Sequence, residues 1–204
     1  MYNHVEILQA MHDQGICLST MDRYGQTPMH WACIFGSFNA ARFLFSIGMS
    51  ITTPSTSRLL PFSLALDHRC KSVDLMKWLV ERTCEALGSH IPLIFGPKEL
   101  IRAAGARSTA LLAWLKTHGC DFNIVDLDHA DGFGPVHAAA VAGDLDVMQW
   151  MHLNGIDMTT RTRSGCTLLH LASKHGRVDV LRFLMGLSLQ SDAVDSEGFN
   201  MVHY

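Results

Sequence analysis

Apolar residues along this chain recur at steps of three and four, in short segments that end near a glycine or another small residue. The spacing is clearest in three segments, FNAARFLFSIG, LDVMQWMHLNG and VDVLRFLMGLS. It predicts helices with one buried face. A shorter apolar run precedes each segment, as in GQTPMHWACIFG at 25–36. There Thr27 is suited to cap a helix, Pro28 to occupy its first position and Gly36 to end it. The pattern therefore predicts pairs made of a short helix and a longer one.

The helical pairs repeat with a period of 33 residues. Three segments align without a gap, at 25–53, 132–160 and 165–193. A fourth copy begins at 198–204, and His137, His170 and His203 follow one another at intervals of 33 residues. A hairpin of about 33 residues cannot bury enough apolar surface to offset its ordering entropy, so each unit needs a neighbour on either side. The period therefore predicts a stack of helical pairs with a continuous core.

The middle of the chain keeps the apolar pattern but loses the glycine and histidine landmarks, at 59–80 and 98–123. Units that start at Leu60 and Lys98 give spacings of 33, 38, 36, 33 and 33 residues from Thr27 onward. An aromatic residue falls at the same point of each second helix: Phe43, Trp78, Trp114, Trp150 and Phe183. Because large aromatic side chains dominate core energetics, we expect these rings on the inward face rather than in a stacking ladder for bases or sugars.

A 33-residue unit that opens Gly-x-Thr-Pro-Leu-His and continues with a short helix, a glycine and a longer helix resembles the ankyrin repeat. The resemblance implies an all-α solenoid of stacked helix-turn-helix units with projecting finger turns, whose concave side carries the fingers and the first helices. It implies a single array over 1–204, with units at 1–21 (partial), 22–54, 55–92 and 93–128 (both degenerate), 129–161, 162–194 and 195–204 (partial). Departures from the pattern stand at Gly134, Leu168, Ser188 and Asn200, and we expect them to affect stability rather than the fold.

Composition and charge narrow the class of protein. The 204 residues are 48% hydrophobic and 17% charged, with a net charge of −3. These values exclude a disordered tail and provide no field to attract nucleic acid or an anionic membrane. The N-terminal segment lacks the apolar run of a secretory signal, and no segment reaches the length of a membrane span. We therefore expect an intracellular protein, cytoplasmic or nuclear, with no nucleic-acid or membrane partner. The six cysteines lack paired spacing and are expected to be small buried residues in a reducing compartment.

Two features could hold a metal ion, and each has a simpler interpretation. DLDHADG at 126–132 resembles the start of a calcium loop, but Ala130, Asp131 and His137 stand where such a loop needs a ligand, a glycine and a glutamate. We expect a lengthened, solvated acidic finger there. The repeated histidine, as in His30, is expected to bond back to the capping hydroxyl or to a neighbouring turn, since no unit supplies paired ligands. The sequence shows no phosphate loop or nucleophile motif, so we predict no cofactor, no metal and no catalytic residue.

Recognition of a protein or peptide is the function that fits these observations. In ankyrin-like proteins, partners usually meet the finger tips and the exposed side of the first helices. The repeat pattern leaves these positions free: Arg23, Tyr24, Gln26, Ile34, Phe35, Asp131, Phe133, Val141, Ala142, Arg163, Lys174, His175, Ser196, Glu197 and Phe199. Several are apolar or aromatic, although packing against the next unit or an ordinary solvated face would also account for them. We therefore predict a non-enzymatic scaffold that binds a protein or peptide on its concave face.

Other interpretations stay open. The array could be the regulatory or substrate-recruiting part of a multidomain enzyme, or it could itself be an enzyme or a metal protein. Its end units lack the polar caps of a solenoid, which fits either a longer array or end-to-end self-association. Asn123 also stands where ankyrin repeats resemble substrates of asparaginyl hydroxylation, although a finger asparagine also stabilises its own turn.

Overall fold

The computed structural model describes residues 5–66 and 72–204, apart from the side chains of residues 92 and 93. The chain divides into two compact units, Met1–Ile94 and Phe95–Tyr204. Both units are built from the same kind of helical hairpin, so the same packing rules apply to each.

Helices make up the regular structure of the described ranges. Pairing of the β type is limited there to two isolated bridges, Asp126 with Phe133 and Arg161 with Thr167. Each bridge closes the base of a turn that precedes a first helix. No helix in these ranges is both long and apolar enough to cross a membrane. The all-α fold class predicted from the repeat is confirmed.

The first unit contains these helices: α1 (Val5–Asp13), α2 (Pro28–Ile34), α3 (Phe38–Ser46), α4 (Pro61–Ala65), α5 (Val73–Leu87) and α6 (Ile91–Ile94). α2 and α3 form one hairpin, and α4 and α5 form the next. The short helices α2 and α4 pack side by side, and α1 packs against α3. Short helices therefore lie beside short helices, as a stack of repeated pairs requires.

The second unit repeats this arrangement in three hairpins, with these helices: α7 (Pro97–Gly105), α8 (Thr109–Thr117), α9 (Pro135–Ala142), α10 (Leu145–Leu153), α11 (Leu168–Lys174) and α12 (Val178–Gly186). The first helices form one row, in which α9 lies between α7 and α11. The second helices form another, in which α10 lies between α8 and α12.

The core of each second helix is formed by the residue that follows the repeated aromatic position. These residues are Leu44, Leu79, Leu115, Met151 and Leu184, and each is at most 1% exposed. The aromatic residues themselves are only half-buried, so the expectation that they lie on the inward face was wrong. Two of the tryptophan rings contact the preceding repeat instead: Trp78 lies 5.5 Å from Phe45, and Trp150 lies 5.8 Å from Phe122, both edge to face. At Trp78 and Trp150, a ring one position away from the core therefore covers the interface between two repeats.

Three positions that lost a landmark glycine keep the backbone conformation of that glycine. Arg58, Arg107 and Ser188 have φ values of 59°, 59° and 56°. Gly155, which is the equivalent of Ser188 one repeat earlier, has φ of 75°. The left-handed region costs a residue with a side chain about 1–2 kcal/mol, so packing of the repeats imposes this geometry against local preference.

The first helix of the repeat at 93–128 begins earlier than the repeat alignment predicts. Gly96 is its N-cap and Pro97 its first residue, so the predicted start at Lys98 was wrong by two residues. Proline suits the first helical position because its φ is preset and its missing N–H has no partner there. The predicted start of the preceding repeat, at Leu60, is confirmed, because Leu60 is the N-cap of α4.

The cysteines differ in their surroundings. Cys33, Cys120 and Cys166 are buried, as expected, and Cys84 is half-buried. Cys17 is exposed, so the expectation of burial was wrong for this residue, and Cys70 lies outside the described residues. A hydrogen bond with Ser19, at 3.0 Å between sulfur and oxygen, lowers the pKa of the Cys17 thiol.

Candidate protein-binding surface

In repeats that keep the 33-residue pattern, a buried histidine joins the first helix to the finger that follows. In α11, Nδ1 of His170 accepts a hydrogen bond from the backbone N–H of Thr167 at 3.1 Å, and it lies 2.7 Å from the Thr167 hydroxyl oxygen. Because a backbone N–H can only donate, Nε2 carries the ring proton and donates to the carbonyl oxygen of Phe199 at 3.0 Å. His30 makes the same link to the carbonyl oxygen of Leu59 at 3.3 Å. The prediction that this histidine bonds back to the capping residue and to a neighbouring turn is confirmed. We call these hydrogen bonds the histidine fastener.

The fastener requires a neutral ring. Nδ1 of His137 accepts from the backbone N–H of Gly134 at 3.0 Å, and its Nε2 lies 3.5 Å from the Thr160 hydroxyl oxygen. Burial lowers the pKa of His137 and that of His30, because desolvation disfavours the charged imidazolium. The folded environment therefore favours the protonation state that the hydrogen bonds need.

Four of the finger turns in the described ranges are each organised by a short oxygen-bearing side chain that was not predicted from the sequence. Oδ1 of Asp195 accepts hydrogen bonds from the backbone N–H groups of Glu197 at 2.9 Å and Phe199 at 3.0 Å. The same place is taken in other fingers by Asp22, Ser55 and Thr162, and each accepts from the N–H four residues later. Such side chains close turns by replacing a backbone acceptor. The signal is present in the sequence, because these residues stand five positions before Thr27, Leu60, Thr167 and Asn200.

The fingers of the second unit are hydrogen-bonded to one another. We call residues 126–133, 161–167 and 195–199 the finger row. Asp131 accepts hydrogen bonds from the backbone N–H of Ser164 at 2.7 Å and from its hydroxyl at 2.9 Å. The Arg163 guanidinium donates to the carbonyl oxygen of Leu127 at 2.8 Å. The backbone N–H of Ser196 donates to the carbonyl oxygen of Ser164, also at 2.8 Å. The three turns are therefore held in fixed register.

The Asp131 carboxylate carries the first of these links in its charged form. Partial burial works to raise the pKa of Asp131, but the hydrogen bonds from Ser164 outweigh it, and the pKa lies below its usual value. Asp131 is therefore ionised at neutral pH, where its hydrogen bonds are charge-assisted.

The lengthened finger at 126–133 is exposed at 127–130, as the sequence predicts, but two of its carboxylates are not solvated. Asp126 is 6% exposed, and its carboxylate accepts from the backbone N–H of Asp128 at 3.0 Å. Asp128 in turn pairs with Lys98 at 3.3 Å. The expectation was therefore wrong for Asp126 and Asp131, because both carboxylates satisfy N–H groups of the turns. Among the described residues, no three acidic, histidine or cysteine side chains converge as metal ligands would.

The predicted binding residues of the second unit fall into two classes. The exposed ones are Arg163, Lys174, His175, Ser196, Glu197 and Phe199, and the half-buried ones are Asp131, Phe133, Val141 and Ala142. Phe133 lies between the rings of His129 and His137, with centroid distances of 5.2 Å and 5.4 Å, so its ring serves the fold. Leu127, which was not among the predicted residues, is 68% exposed in the same row.

The predicted residues of the first unit form two small groups. Arg23, Tyr24 and Phe35 are exposed, and Gln26 and Ile34 are half-buried. On the finger, the Arg23 guanidinium lies over the Tyr24 ring at 4.7 Å. On α2, Phe35 stacks on Trp31, with ring centroids 5.8 Å apart and planes 19° apart. The residues of each group therefore support one another.

The last residues of the second unit fold over α11. The Tyr204 hydroxyl donates to the carboxylate of Asp195 at 2.6 Å, and this hydrogen bond lowers the pKa of Asp195. The Lys174 ammonium lies 5.1 Å from the centre of the Tyr204 ring. Lys174 is thereby held beside the last finger of the row.

Asn123 joins two successive loops of the second unit. Its amide oxygen accepts a hydrogen bond from the backbone N–H of Asp157 at 3.0 Å. The side chain therefore has a structural role, and its hydroxylation stays a prediction.

Comparison with known proteins supports the repeat assignment. A family model described as ankyrin repeats (many copies) matches residues 1–45 and 136–185. The chain is 31% identical over 74 residues to protein phosphatase 1 regulatory subunit 27 of Mus musculus and 31% identical over 70 residues to that of Homo sapiens. These matches cover 36% and 34% of this chain, and 48% and 46% of the relatives, so they span about half the length of those proteins. The B-cell lymphoma 3 protein homolog of Mus musculus is 26% identical over 160 residues, which are 78% of this chain and 35% of that protein.

Solved structures share the fold. The ankyrin repeat domain of Bcl-3 superposes with a TM-score of 0.61 at 21% identity, covering 97% of this chain and 86% of that one. The ankyrin repeat domain of human ASB11 superposes with a TM-score of 0.65 at 23% identity, covering 82% of this chain and 72% of that one. The family match at residues 1–45 and 136–185 and the shared fold agree with the 33-residue period, so these two ranges match ankyrin repeats and the chain has the fold of an ankyrin repeat domain.

Proposed function

We propose that the chain is a non-enzymatic scaffold that binds a protein or peptide partner along the finger row, on the side of the repeats that is concave in ankyrin proteins. The observation that carries this proposal is the chain of hydrogen bonds from Asp131 through Ser164 to Ser196, which holds three turns together while their outer side chains stay exposed. The similarity to Bcl-3 and to a phosphatase regulatory subunit is consistent with a protein partner.

Rigidity is the first argument. Loops that are ordered only on binding spend part of the interaction free energy on that ordering. The turns of the finger row are already fixed by Asp195 inside one finger and by Arg163 between two of them. A partner that meets this row therefore binds a surface that is set before contact.

The chemistry of the exposed side chains is the second argument. Leu127 and Phe199, at 68% and 42% exposed, offer apolar anchors at two fingers of the row. Lys174 and Glu197 are exposed and bring both signs of charge to its last finger and the adjoining helix. Apolar anchors with charged neighbours are typical of a recognition surface, in which few side chains carry most of the affinity. The partner segment should therefore supply apolar side chains together with charges of both signs.

The test compares two finger variants with a matched control. Leu127→Ser and Glu197→Lys change exposed side chains of the row, whereas Leu153→Ser changes a leucine that is 83% exposed at the end of α10. Tagged proteins are used to capture partners from lysate, and bound proteins are quantified by mass spectrometry. We expect a specific set of proteins to be captured about tenfold less by the finger variants and equally by the control. Unchanged capture by folded finger variants, judged by circular dichroism and thermal melting, would contradict the proposal.

A second candidate follows from one comparison. Two relatives are regulatory subunits of protein phosphatase 1, which favours a role as the regulatory or substrate-recruiting part of a larger enzyme assembly. Purified chain and the catalytic subunit of protein phosphatase 1 can be mixed and followed by calorimetry. Saturable binding would support this candidate, and no binding at about 50 μM would remove it.

A further inference from the structure

The first unit carries an apolar groove that the proposed function does not use. It encloses about 300 Å³ between α1 and the hairpin of α2 and α3. Its walls include Leu8, Pro28, Trp31, Phe35, Ala40 and Leu44, and no lining residue is charged. Phe35 is 62% exposed and Trp31 is 41% exposed. An open apolar surface of this kind on a folded domain marks a place for another protein surface.

The packing of the second unit indicates what this groove accommodates. There α9 lies between two other first helices, α7 and α11, and Ala138, the equivalent of Trp31, is 8% exposed. In the first unit α2 packs against α4, and no other first helix among the described residues packs on its opposite side. The groove therefore continues the interface between repeats, and the element that fits such a seat is an α-helix with an apolar face.

The chain itself carries a helix of this kind beside the groove. α1 has no buried residue, although it includes Ile7, which is 59% exposed, and Met11, which is 36% exposed. These residues are four apart and so lie on one face of the helix, next to Leu8, which lines the groove. The edge of the first unit thus presents two apolar surfaces. We call Ile7 and Met11 the ridge, and the groove lined by Trp31 and Phe35 the seat.

We propose that this edge is a homodimer interface, in which α1 of each copy packs into the groove formed by Trp31 and Phe35 of the other. A two-fold axis brings the ridge of each copy to the seat of its partner, so both apolar surfaces are buried at once. The seat is preorganised, because the Trp31 indole N–H donates to the Asp22 carboxylate at 3.2 Å and fixes the ring. This interface is separate from the finger row, and neither proposal depends on the other.

The test is the oligomeric state of the full chain. Sedimentation velocity and light scattering are measured from about 1 μM to about 500 μM for the unaltered chain, Ile7→Glu, Phe35→Glu and the control Leu87→Glu. Leu87 is 48% exposed in the same unit, at the end of α5, away from the lining of the groove. We expect a dimer whose dissociation constant rises about tenfold or more in Ile7→Glu and in Phe35→Glu and is unchanged in Leu87→Glu.

Other outcomes would overturn the proposal. A chain that stays monomeric at the highest concentration has no such interface, and the groove then serves a different partner or none. A dimer that survives both glutamate variants, or is lost equally in the control, is formed elsewhere or by nonspecific apolar contact. Because Ile7 and Phe35 are surface residues, the variants should keep the circular dichroism of the unaltered chain. If Phe35→Glu is misfolded, Met11→Glu takes its place as the second variant on the ridge and seat.

Discussion

Removing the histidine fastener from α11 tests how much one link between repeats contributes to stability. His170 is 2% exposed, and its two ring nitrogens satisfy the backbone N–H of Thr167 and the carbonyl oxygen of Phe199. His170→Leu introduces an apolar side chain of similar volume and leaves both backbone groups without that partner. An unsatisfied buried polar group costs about 1–3 kcal/mol. Because the Phe199 carbonyl can regain water, we expect a loss of about 2–4 kcal/mol in the free energy of unfolding.

The measurement is urea unfolding followed by circular dichroism at pH 7.5, with His175→Leu as the control. His175 is exposed at the end of the same helix, and its replacement should change the free energy of unfolding by less than about 0.5 kcal/mol. His170→Asn keeps an acceptor near the position of Nδ1 but cannot reach Phe199, so its loss should be intermediate. A cost for His170→Leu no larger than that of the control would refute the view that the ring joins the repeats.

Further predictions concern protonation, packing and backbone strain. Because the folded state lowers the pKa of His30 and His137, the unfolded chain takes up protons first as pH falls below about 6.5, and the free energy of unfolding should decrease there. In urea titrations between about pH 5 and 7.5, His30→Gln and His137→Gln should show a flatter dependence of this free energy on pH. An unchanged slope would contradict this prediction. Leu115→Ala should lower the free energy of unfolding by about 2–5 kcal/mol and by more than Trp114→Ala does, because Leu115 is fully buried and Trp114 is half-buried. The opposite order in chemical unfolding would show that the aromatic residue belongs to the core. Ser188→Gly should raise stability by up to about 1 kcal/mol in thermal melting, since it removes strain at positive φ, and a decrease would contradict that strain.

The period of the sequence predicted most of the fold, because ankyrin units can bury their apolar surface only by stacking. Thr27 and Pro28 begin α2 as expected, and the histidine that follows them reaches the next finger. Regular spacing carries this information even where landmarks are lost, as at Leu60. The start of α7 at Pro97 was missed because the alignment was anchored on apolar residues rather than on the Gly-Pro pair.

Adjacent positions on a short helix were harder to separate. A nine-residue helix such as α8 turns 100° per residue, and a broad apolar stripe does not show which of Trp114 and Leu115 faces inward. For the candidate surface, the sequence likewise did not show which finger residues are free to bind a partner. Arg163 and Asp131 look like free finger residues in the sequence, but both are committed to links between fingers that only the folded arrangement brings together.

Hydrogen–deuterium exchange of the chain with and without a captured partner tests the proposed surface most directly. We expect the partner to protect amides of the finger row, at 126–133, 161–167 and 195–199, and to leave exchange in the second helices α10 and α12 unchanged. Protection of α10 and α12, with exchange in the finger row unchanged from the free chain, would contradict the proposed binding surface.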